Sequence, residues 1–293
     1  MKIGFIGLGI MGQGMCANIV KKHDDTVYCY DHHQENIRPL VEQGAVACES
    51  GEEIAKKADV IISMVPKSEN SLELYSAIIP YLNAQKLCID MSTIDPSISV
   101  DISRAVQKTG ALFLDAPVVK SKMAAIAGTL GIYVGGTDDA YKKALPILQY
   151  MGENIIHLGK NGAGLVMKAC HNALVSQIQN GVNETIALAK ANGIDVQTFA
   201  KAVSYGGGQN SYLDNKKNAI ANKDFETAFS VQNMAKDVNL ALKLANESGL
   251  SLPGEENVAK VYEKAIKLGL SKKDFSATAI VVTGELTENP NES

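Results

Sequence analysis

Near the middle of the chain, a lysine that could transfer a proton lies beside an asparagine that could orient a small substrate. Lys168 and Asn172 lie four residues apart in a stretch that predicts a helix from 163 to about 192, so they share one helix face. A lysine suits alcohol–carbonyl interconversion, because its ammonium protonates a forming alkoxide and its neutral amine accepts a hydroxyl proton. Burial and a nearby cation such as Lys236 would lower the lysine pKa towards the working pH. We therefore predict Lys168 as the general acid/base and Asn172 as a substrate-binding residue.

A glycine-rich turn near the N-terminus predicts a dinucleotide site. The segment from Gly7 to Gly12 matches GxGxxG, directly after a predicted strand and at the start of a predicted helix. Gly7 permits the tight turn, Gly9 lets the backbone approach a pyrophosphate, and Gly12 lets the helix pack on the strand. The helix N-terminus offers N–H groups and a positive dipole end to the phosphates. The cofactor-binding residues predicted in this turn are Gly7, Gly9, Ile10, Met11 and Gly12.

An acidic residue after the second predicted strand bears on the choice of cofactor. Asp31 stands where a carboxylate accepts hydrogen bonds from the adenosine ribose hydroxyls. This carboxylate would repel a 2′-phosphate, and His32-His33 rather than an arginine follow it. We therefore expect NAD (NADH) as the cofactor, with NADP disfavoured. Since the cofactor carries the hydride, the chemistry requires no metal.

The predicted secondary structure changes near residue 160, from alternating strands and helices to helices alone. Before it, short β-type runs alternate with amphipathic stretches, which indicates βαβ units and a mainly parallel, doubly wound sheet. After it the pattern is helical, with a tail at 288–293 that we expect to fray. The sequence predicts an α/β Rossmann domain over 1–161, followed by an all-α C-terminal domain over 162–293 that supplies the catalytic lysine and oligomer contacts. The predicted strands are 2–6, 26–30, 60–64, 87–90, 112–115 and 129–134.

Composition limits the class of protein and its partners. The 293 residues are 46% hydrophobic and 20% charged, with a net charge of −4, as in a globular protein with a sizeable core. The lysines are scattered and no long uncharged apolar run occurs, so we expect no nucleic-acid partner and no membrane span. Five dispersed cysteines favour reduced thiols and a cytoplasmic location. The absence of HExxH and CxxC patterns predicts no metal site.

Four motifs, in this order along the chain, resemble those of the β-hydroxyacid dehydrogenase family. They are the glycine turn with its flanks, the segment Asp115-Ala116-Pro117-Val118, the GxGxxxKxxxN pattern over 162–172, and Lys236-Asp237. The resemblance covers nearly the whole chain. It implies an NAD(P)-dependent oxidoreductase that acts on the CH–OH group of a small anionic 3-hydroxyacid, or on its semialdehyde. It also implies that Val65, Thr93 and Lys236 contact the cofactor.

The segment after Asp-Ala-Pro-Val departs from the family pattern. The family usually continues with Ser-Gly-Gly, whose backbone and hydroxyl hold the substrate carboxylate, whereas this chain has Val119, Lys120 and Ser121. We predict these three residues as substrate-binding. Lys120 would add a flexible cation with three donors. Sulfolactaldehyde reductases, a branch of the same family, also have a basic and a hydroxyl residue here, so a sulfonate-binding site is one alternative.

Other functions stay open on the sequence alone. His171-Asn172 resembles 6-phosphogluconate dehydrogenase, although that enzyme usually has a much longer helical domain. Imine reductases form another branch, whose members typically lack the lysine present here as Lys168. A non-catalytic NAD-binding sensor would need the glycine turn but not Lys168, Asn172 and Lys236. The resemblance further implies a homodimer or homotetramer, with a small anionic substrate as the other partner.

Overall fold

The computed structural model describes residues 1–284, in which strands alternate with helices up to residue 157 and helices follow. The predicted tail, 288–293, lies outside the described residues. The strands are β1 (Ile3–Ile6), β2 (Val27–Tyr30), β3 (Val46–Ala47), β4 (Val60–Ser63), β5 (Leu87–Asp90), β6 (Leu112–Asp115), β7 (Val118–Val119), β8 (Leu130–Val134) and β9 (Gly152–His157). The α-helices are α1 (Gly12–Lys22), α2 (Gln34–Val41), α3 (Gly51–Lys57), α4 (Ser68–Ile78), α5 (Pro96–Gln107), α6 (Lys122–Ala127), α7 (Asp138–Leu148), α8 (Ala163–Ala191), α9 (Val196–Val203), α10 (Ser211–Asn222), α11 (Val231–Glu247), α12 (Pro253–Lys267) and α13 (Ala279–Thr283).

The chain divides into two units, Met1–Lys168 and one that begins at Ala169. The division falls within α8, whereas the predicted boundary, 161/162, lies at the N-terminal end of that helix. Each unit has its own apolar core. Within residues 1–284, no helix combines the length and the apolar character needed to span a bilayer.

Six strands of the first unit form a parallel sheet in the order β3-β2-β1-β4-β5-β6. Every residue of β1, β4 and β5 is buried, as expected for strands covered by helices on both faces. The chain runs outward from β1 to β3 and then returns to β4 beside β1. Such a reversal leaves a crevice at the carboxyl ends of the strands, where ligands bind in open α/β sheets. The predicted Rossmann-type fold is confirmed.

A second, three-stranded sheet follows the parallel sheet in the chain order and was not predicted from the sequence. The predicted strand 129–134 is β8, but it pairs antiparallel with β7 and parallel with β9. The sequence analysis missed β3, β7 and β9. The strands β3 and β7 have two residues each, too few for a recognisable periodicity. In β9 only Gly152 is fully buried, so this strand lacks the apolar run that marks a buried strand.

In the second unit, α8 buries a polar face rather than an apolar one alone. Ser176, Gln179 and Asn183 are each at most 2% exposed, and their spacing places them on one face of the helix. The Tyr262 hydroxyl donates to the Gln179 side-chain oxygen, and the Tyr212 hydroxyl donates to that of Asn183 at 3.2 Å. Buried polar groups are costly unless they are hydrogen-bonded. These bonds therefore fix the rotation of α8 relative to the helices around it in this unit.

A buried carboxyl group continues this polar face. Glu255, in the first turn of α12, is fully buried and accepts hydrogen bonds from the Ser176 hydroxyl at 3.0 Å and the Gln177 amide at 3.2 Å. Both donors are neutral, so they offset only part of the cost of burying a charge. Burial raises the pKa of Glu255 from 4.5 to about 7.

We expect this shift to make the stability of the protein depend on pH. Between pH 4.5 and about 7 the folded chain keeps a proton on Glu255 that the unfolded chain has lost, so the free energy of unfolding falls as pH rises through this window. The loss over this window is at most roughly 3.5 kcal/mol, from about 1.4 kcal/mol per pKa unit. Glu255→Gln should remove this slope and be more stable than wild type at pH 8. Urea unfolding followed by circular dichroism at pH 5 to 8 measures it.

Glu256→Gln is the matched control, because Glu256 is the next residue in the same helix and is exposed. This variant should keep the wild-type slope. An unchanged slope in Glu255→Gln would show that Glu255 is ionised in the folded protein at neutral pH.

Candidate active site

The glycine turn joins β1 to α1, and its three glycines meet different constraints. Gly7 has a φ of +93°, and a Cβ on Gly12 would lie 2.0 Å from the Gly7 carbonyl oxygen. Gly9 is different, because no atom beyond Gly9 and its two chain neighbours lies within 4 Å of the position its Cβ would take. Ile10 is exposed and Met11 partly buried beside it. Gly7 and Gly12 are therefore required by the fold, whereas Gly9 faces open space of the kind that a pyrophosphate needs.

Asp31 lies directly after β2 and is held against this turn. Its carboxylate accepts hydrogen bonds from the Leu8 N–H at 2.6 Å, the His33 N–H at 2.8 Å and the Asn36 side-chain amide at 3.2 Å. Three donors fix the orientation of the carboxylate beside the glycine turn. This is the position in which an acidic residue binds the ribose hydroxyls of a dinucleotide.

The predicted cofactor residues Val65 and Thr93 follow β4 and β5, which are neighbours in the sheet. Ser92, the residue before Thr93, accepts a hydrogen bond from the Val65 N–H at 2.8 Å through its hydroxyl. The Ser92 N–H in turn donates to the buried Asp90 carboxylate at 3.1 Å. This short chain of hydrogen bonds ties the two loops to each other at the carboxyl edge of the sheet.

Asp115, the last residue of β6, accepts hydrogen bonds from the first turn of α8. The Gly162 N–H donates to one carboxylate oxygen at 2.6 Å, and the Leu165 N–H donates to the other at 3.1 Å. A Cβ on Gly164 would lie 2.9 Å from the Asp115 carboxylate and 2.5 Å from the Tyr133 carbonyl oxygen. The second glycine of GxGxxxKxxxN is therefore needed so that the helix can approach this carboxylate. Burial raises the pKa of Asp115, although the two N–H bonds oppose the rise.

Lys168 and Asn172 follow on α8, and both side chains are buried, with 9% and 4% of their surface exposed. The Asn172 amide donates to the Asp237 carboxylate at 2.5 Å, and the Lys236 ammonium lies 3.2 Å from the other oxygen of that carboxylate. This bond fixes the orientation of the Asn172 amide, with its nitrogen towards Asp237. The burial of Lys168 argues against a purely solvent-facing role for this lysine.

The predicted substrate segment links β7 to α6. Val119 is buried, and Lys120 and Ser121 are exposed. Lys120 has a φ of +81°, a conformation that favours glycine, and its ammonium donates to the Thr129 carbonyl oxygen at 2.6 Å. The backbone thus keeps the conformation expected of a glycine while the side chain adds a cation. The helix α6 is held by Asn18 of α1, whose side-chain amide donates to the Ala125 carbonyl oxygen at 2.9 Å.

Within the first unit, the fold brings most of the predicted residues to one edge of the sheet. The glycine turn, Asp31, Val65 and Thr93 follow β1, β2, β4 and β5, whose carboxyl ends lie on the same side because the strands are parallel. Lys236 lies on α11 in the second unit. The sequence analysis named Asp115 and Asp237 only as members of motifs, and it assigned no site role to them or to Asp90 and Ser92. An acidic residue at the end of an apolar strand, as at Asp90 and Asp115, is the signal that could have found two of them.

Comparison with known proteins gives matches over both halves of the chain. Residues 2–159 match the family model of the NAD binding domain of 6-phosphogluconate dehydrogenase, and residues 162–282 match that of the NAD-binding domain of NADP-dependent 3-hydroxyisobutyrate dehydrogenase. An NAD-dependent L-serine dehydrogenase of Pseudomonas aeruginosa is 35% identical over 94% of this chain and 95% of its own length. The mitochondrial 3-hydroxyisobutyrate dehydrogenase of Mus musculus is 34% identical over 94% and 85%. A structure of 3-hydroxyisobutyrate dehydrogenase from Mycobacterium tuberculosis with L-serine has a TM-score of 0.87 and 30% identity, covering 96% and 98% of the two chains.

Alanine substitutions at Gly9 and Gly12 should separate the space needed by a cofactor from the space needed by the fold. Gly12→Ala should lower the stability by about 1–3 kcal/mol, because the added Cβ overlaps backbone, and should also lose NADH binding. Gly9→Ala meets no protein atom, so its melting temperature should stay close to wild type while NADH affinity falls about tenfold or more, the scale of one lost polar contact. Thermal unfolding and calorimetric titration with NADH measure both. Wild-type NADH affinity in Gly9→Ala would show that no pyrophosphate approaches this glycine.

Proposed function

Because the chain belongs to the 3-hydroxyisobutyrate dehydrogenase-like β-hydroxyacid dehydrogenases, we propose that it interconverts a small anionic 3-hydroxyacid and its semialdehyde with NAD(H). The chain is an oxidoreductase that acts on a hydroxyl group and has an NAD(P)-binding domain. The observation that carries the proposal is a buried lysine, Lys168, four residues from a buried amide, Asn172, on one helix.

The proposed mechanism assigns the proton to Lys168. The cofactor, when bound, supplies or accepts the hydride. During reduction the Lys168 ammonium donates a proton to the oxygen that was the carbonyl oxygen of the substrate. During oxidation its neutral amine accepts the proton of the substrate hydroxyl. Asn172 orients the substrate by a hydrogen bond, and its own amide is held by Asp237. Gly9, together with the N–H groups at the start of α1, would hold the pyrophosphate, while Gly7 and Gly12 shape the turn.

NAD(H) is the proposed cofactor, on the evidence of Asp31. Hydrogen bonds from Leu8, His33 and Asn36 hold this carboxylate beside the glycine turn. There it would accept hydrogen bonds from the ribose hydroxyls and would repel a 2′-phosphate. The serine dehydrogenase relative is named as NAD-dependent, which supports the same choice. Initial rates with NADH and NADPH decide it, since a higher specificity constant for NADPH would contradict the role of Asp31.

The proposed substrate class follows from what the relatives' names share. Serine and 3-hydroxyisobutyrate, named for those relatives, both have a hydroxymethyl carbon next to a carbon that bears a carboxylate. A site in which Lys168 meets the hydroxymethyl oxygen and the 119–121 segment meets the anion would suit this arrangement. NADH oxidation with methylmalonate semialdehyde, sulfolactaldehyde and uncharged isobutyraldehyde tests it. A non-catalytic sensor would bind NADH and turn over none of the three.

Lys168→Ala should leave NADH affinity within about twofold of wild type while turnover falls roughly 100-fold or more, the usual scale for a lost proton-transfer group. Calorimetric titration and steady-state rates measure the two quantities. Lys190→Ala is the matched control, because Lys190 is an exposed lysine of the same helix, and it should behave as wild type. Near-wild-type turnover in a folded Lys168→Ala variant would exclude Lys168 as the general acid/base.

A sulfonate substrate is a second candidate, favoured by Lys120 in its glycine-like conformation next to Ser121. A lysine and a hydroxyl suit a tetrahedral oxyanion at least as well as a planar carboxylate. Sulfolactaldehyde should then have a higher specificity constant than methylmalonate semialdehyde. The reverse order would leave the carboxylate as the substrate group.

Lys120→Ala should raise the Michaelis constant for the anionic substrate by about 10- to 150-fold, the equivalent of one lost charged hydrogen bond of about 1.5–3 kcal/mol. NADH binding and the rate with isobutyraldehyde should change little. Lys122→Ala, at a second exposed lysine two residues on, serves as the control. Equal losses with charged and uncharged aldehydes would show that Lys120 does not contact the anion.

A further inference from the structure

Two buried carboxylates lie side by side at the carboxyl edge of the parallel sheet. Asp90 ends β5 and Asp115 ends β6, and the two residues are partners in the register of these strands. Each is at most 1% exposed. Burial raises the pKa of both carboxyls. Burying two neighbouring carboxylates costs free energy unless hydrogen bonds offset the lost hydration. The donors to each carboxylate therefore indicate which part of the fold that carboxylate orders.

The Asp90 carboxylate accepts hydrogen bonds from residues of β4, α4 and the loop after β5. The Ser63 and Ser71 hydroxyls each donate to it at 3.0 Å, and the Ser92 N–H donates at 3.1 Å. Ser92 links Asp90 to the loop after β4, because the Ser92 hydroxyl accepts a hydrogen bond from the Val65 N–H at 2.8 Å. Asp90 therefore organises the two loops that carry the proposed cofactor residues.

The hydrogen bonds to the Asp115 carboxylate come from a different part of the chain. Its donors are the N–H groups of Gly162 and Leu165, one to each oxygen. These groups open α8, and Lys168 lies one helical turn beyond Leu165. The positive end of the helix dipole also favours an anion at this point. Within residues 1–284, these donors to Asp115 and those named for Asp90 have no residue in common.

We propose that Asp90 and Asp115 are positioning residues with separate tasks. Asp90 fixes the loops that hold the cofactor, and Asp115 fixes the start of the helix that carries the proton-transfer lysine. Each function can then be impaired without the other. The inference rests on the proposed function for its kinetic consequences, but the separation of the two sets of bonds is a property of the fold itself.

Asparagine is the sharpest substitution at both positions, because it keeps the volume of aspartate and removes one acceptor. In Asp115→Asn the side-chain amide nitrogen would face one of two backbone N–H groups, so only one of the two bonds to α8 can form. We expect turnover to fall about 10- to 100-fold, the scale of a misplaced catalytic group, with NADH affinity within about twofold of wild type. Amide hydrogen exchange over 160–168 should accelerate, and exchange over 63–67 should not.

Asp90→Asn should give the opposite pattern. The dissociation constant of NADH should rise about tenfold, as for one lost hydrogen bond to a charged group, and at saturating NADH turnover should fall far less than in Asp115→Asn. Exchange over 63–67 and 91–94 should accelerate, and exchange over 160–168 should not. Turnover is measured with sulfolactaldehyde and methylmalonate semialdehyde, NADH binding by calorimetry, and exchange by mass spectrometry.

Second variants keep the experiment decisive if an asparagine variant fails to fold. Gly164→Ala leaves the Asp115 carboxylate in place but puts a Cβ 2.9 Å from it, so it should reproduce the Asp115→Asn pattern. Ser92→Ala keeps Asp90 but removes the bond to the Val65 N–H, and it should reproduce the Asp90→Asn pattern.

Asp274→Asn controls for the general cost of losing a buried carboxylate. Asp274 is 1% exposed and accepts the N–H groups of Ala228 and Phe229 in the second unit. This variant should be less stable and keep wild-type kinetic constants. The proposal is overturned if Asp90→Asn and Asp115→Asn change the same quantities, or if neither accelerates exchange in its own segment. If the proposed function were wrong, the wild-type protein would turn over neither aldehyde. NADH binding and amide hydrogen exchange would still test the separate roles of Asp90 and Asp115.

Discussion

The contact on which the placement of the proposed proton-transfer lysine depends is the pair of hydrogen bonds between the Asp115 carboxylate and the N–H groups of Gly162 and Leu165. A carboxylate without surface exposure loses its hydration, and charge-assisted bonds at a helix N-terminus offset that loss. The bonds tie the last strand of the parallel sheet to a helix of 29 residues. Because these bonds hold the start of the helix, they also set where Lys168, one turn further along, lies relative to the sheet.

The Asp115 carboxylate explains two glycines that no local turn requires. A side chain at Gly135 would come within 2.6 Å of the Asp115 carboxylate, and one at Gly164 within 2.9 Å. The glycines of the dinucleotide turn have a different cause, since Gly12 is constrained by the Gly7 carbonyl oxygen while Gly9 meets no protein atom. Glycines required by packing and a glycine that faces open space thus occur side by side in the chain, and only their surroundings distinguish them.

The segment at 119–121 combines a backbone conformation that favours glycine with a charged side chain. Lys120 keeps a φ of +81°, which costs a residue with a side chain on the order of 1 kcal/mol or more relative to glycine. The bond from its ammonium to the Thr129 carbonyl oxygen offsets part of this cost. A strained, exposed cation in a proposed substrate segment is more easily explained by recognition of an anion than by stability, since a glycine would fit the backbone with less strain.

The sequence by itself determined the fold class, the position of the dinucleotide turn and the family, because each depends on local patterns. Apolar runs of four or five residues predict buried strands, and GxGxxG needs only its own glycines and the strand before it. The spacing of Lys168 and Asn172 on one helix is likewise a local property. Tertiary structure alone decided which residues hold these groups. The strands β3 and β7 form with only two residues each because a neighbouring strand supplies their partners. Asp90, Asp115 and Asp237 accept hydrogen bonds from donors 19 to 65 residues away in sequence, and hydrogen bonds over such separations leave no periodic signal. The burial of Lys168 and the support of Asn172 by Asp237 are set by packing, which a one-dimensional pattern does not specify.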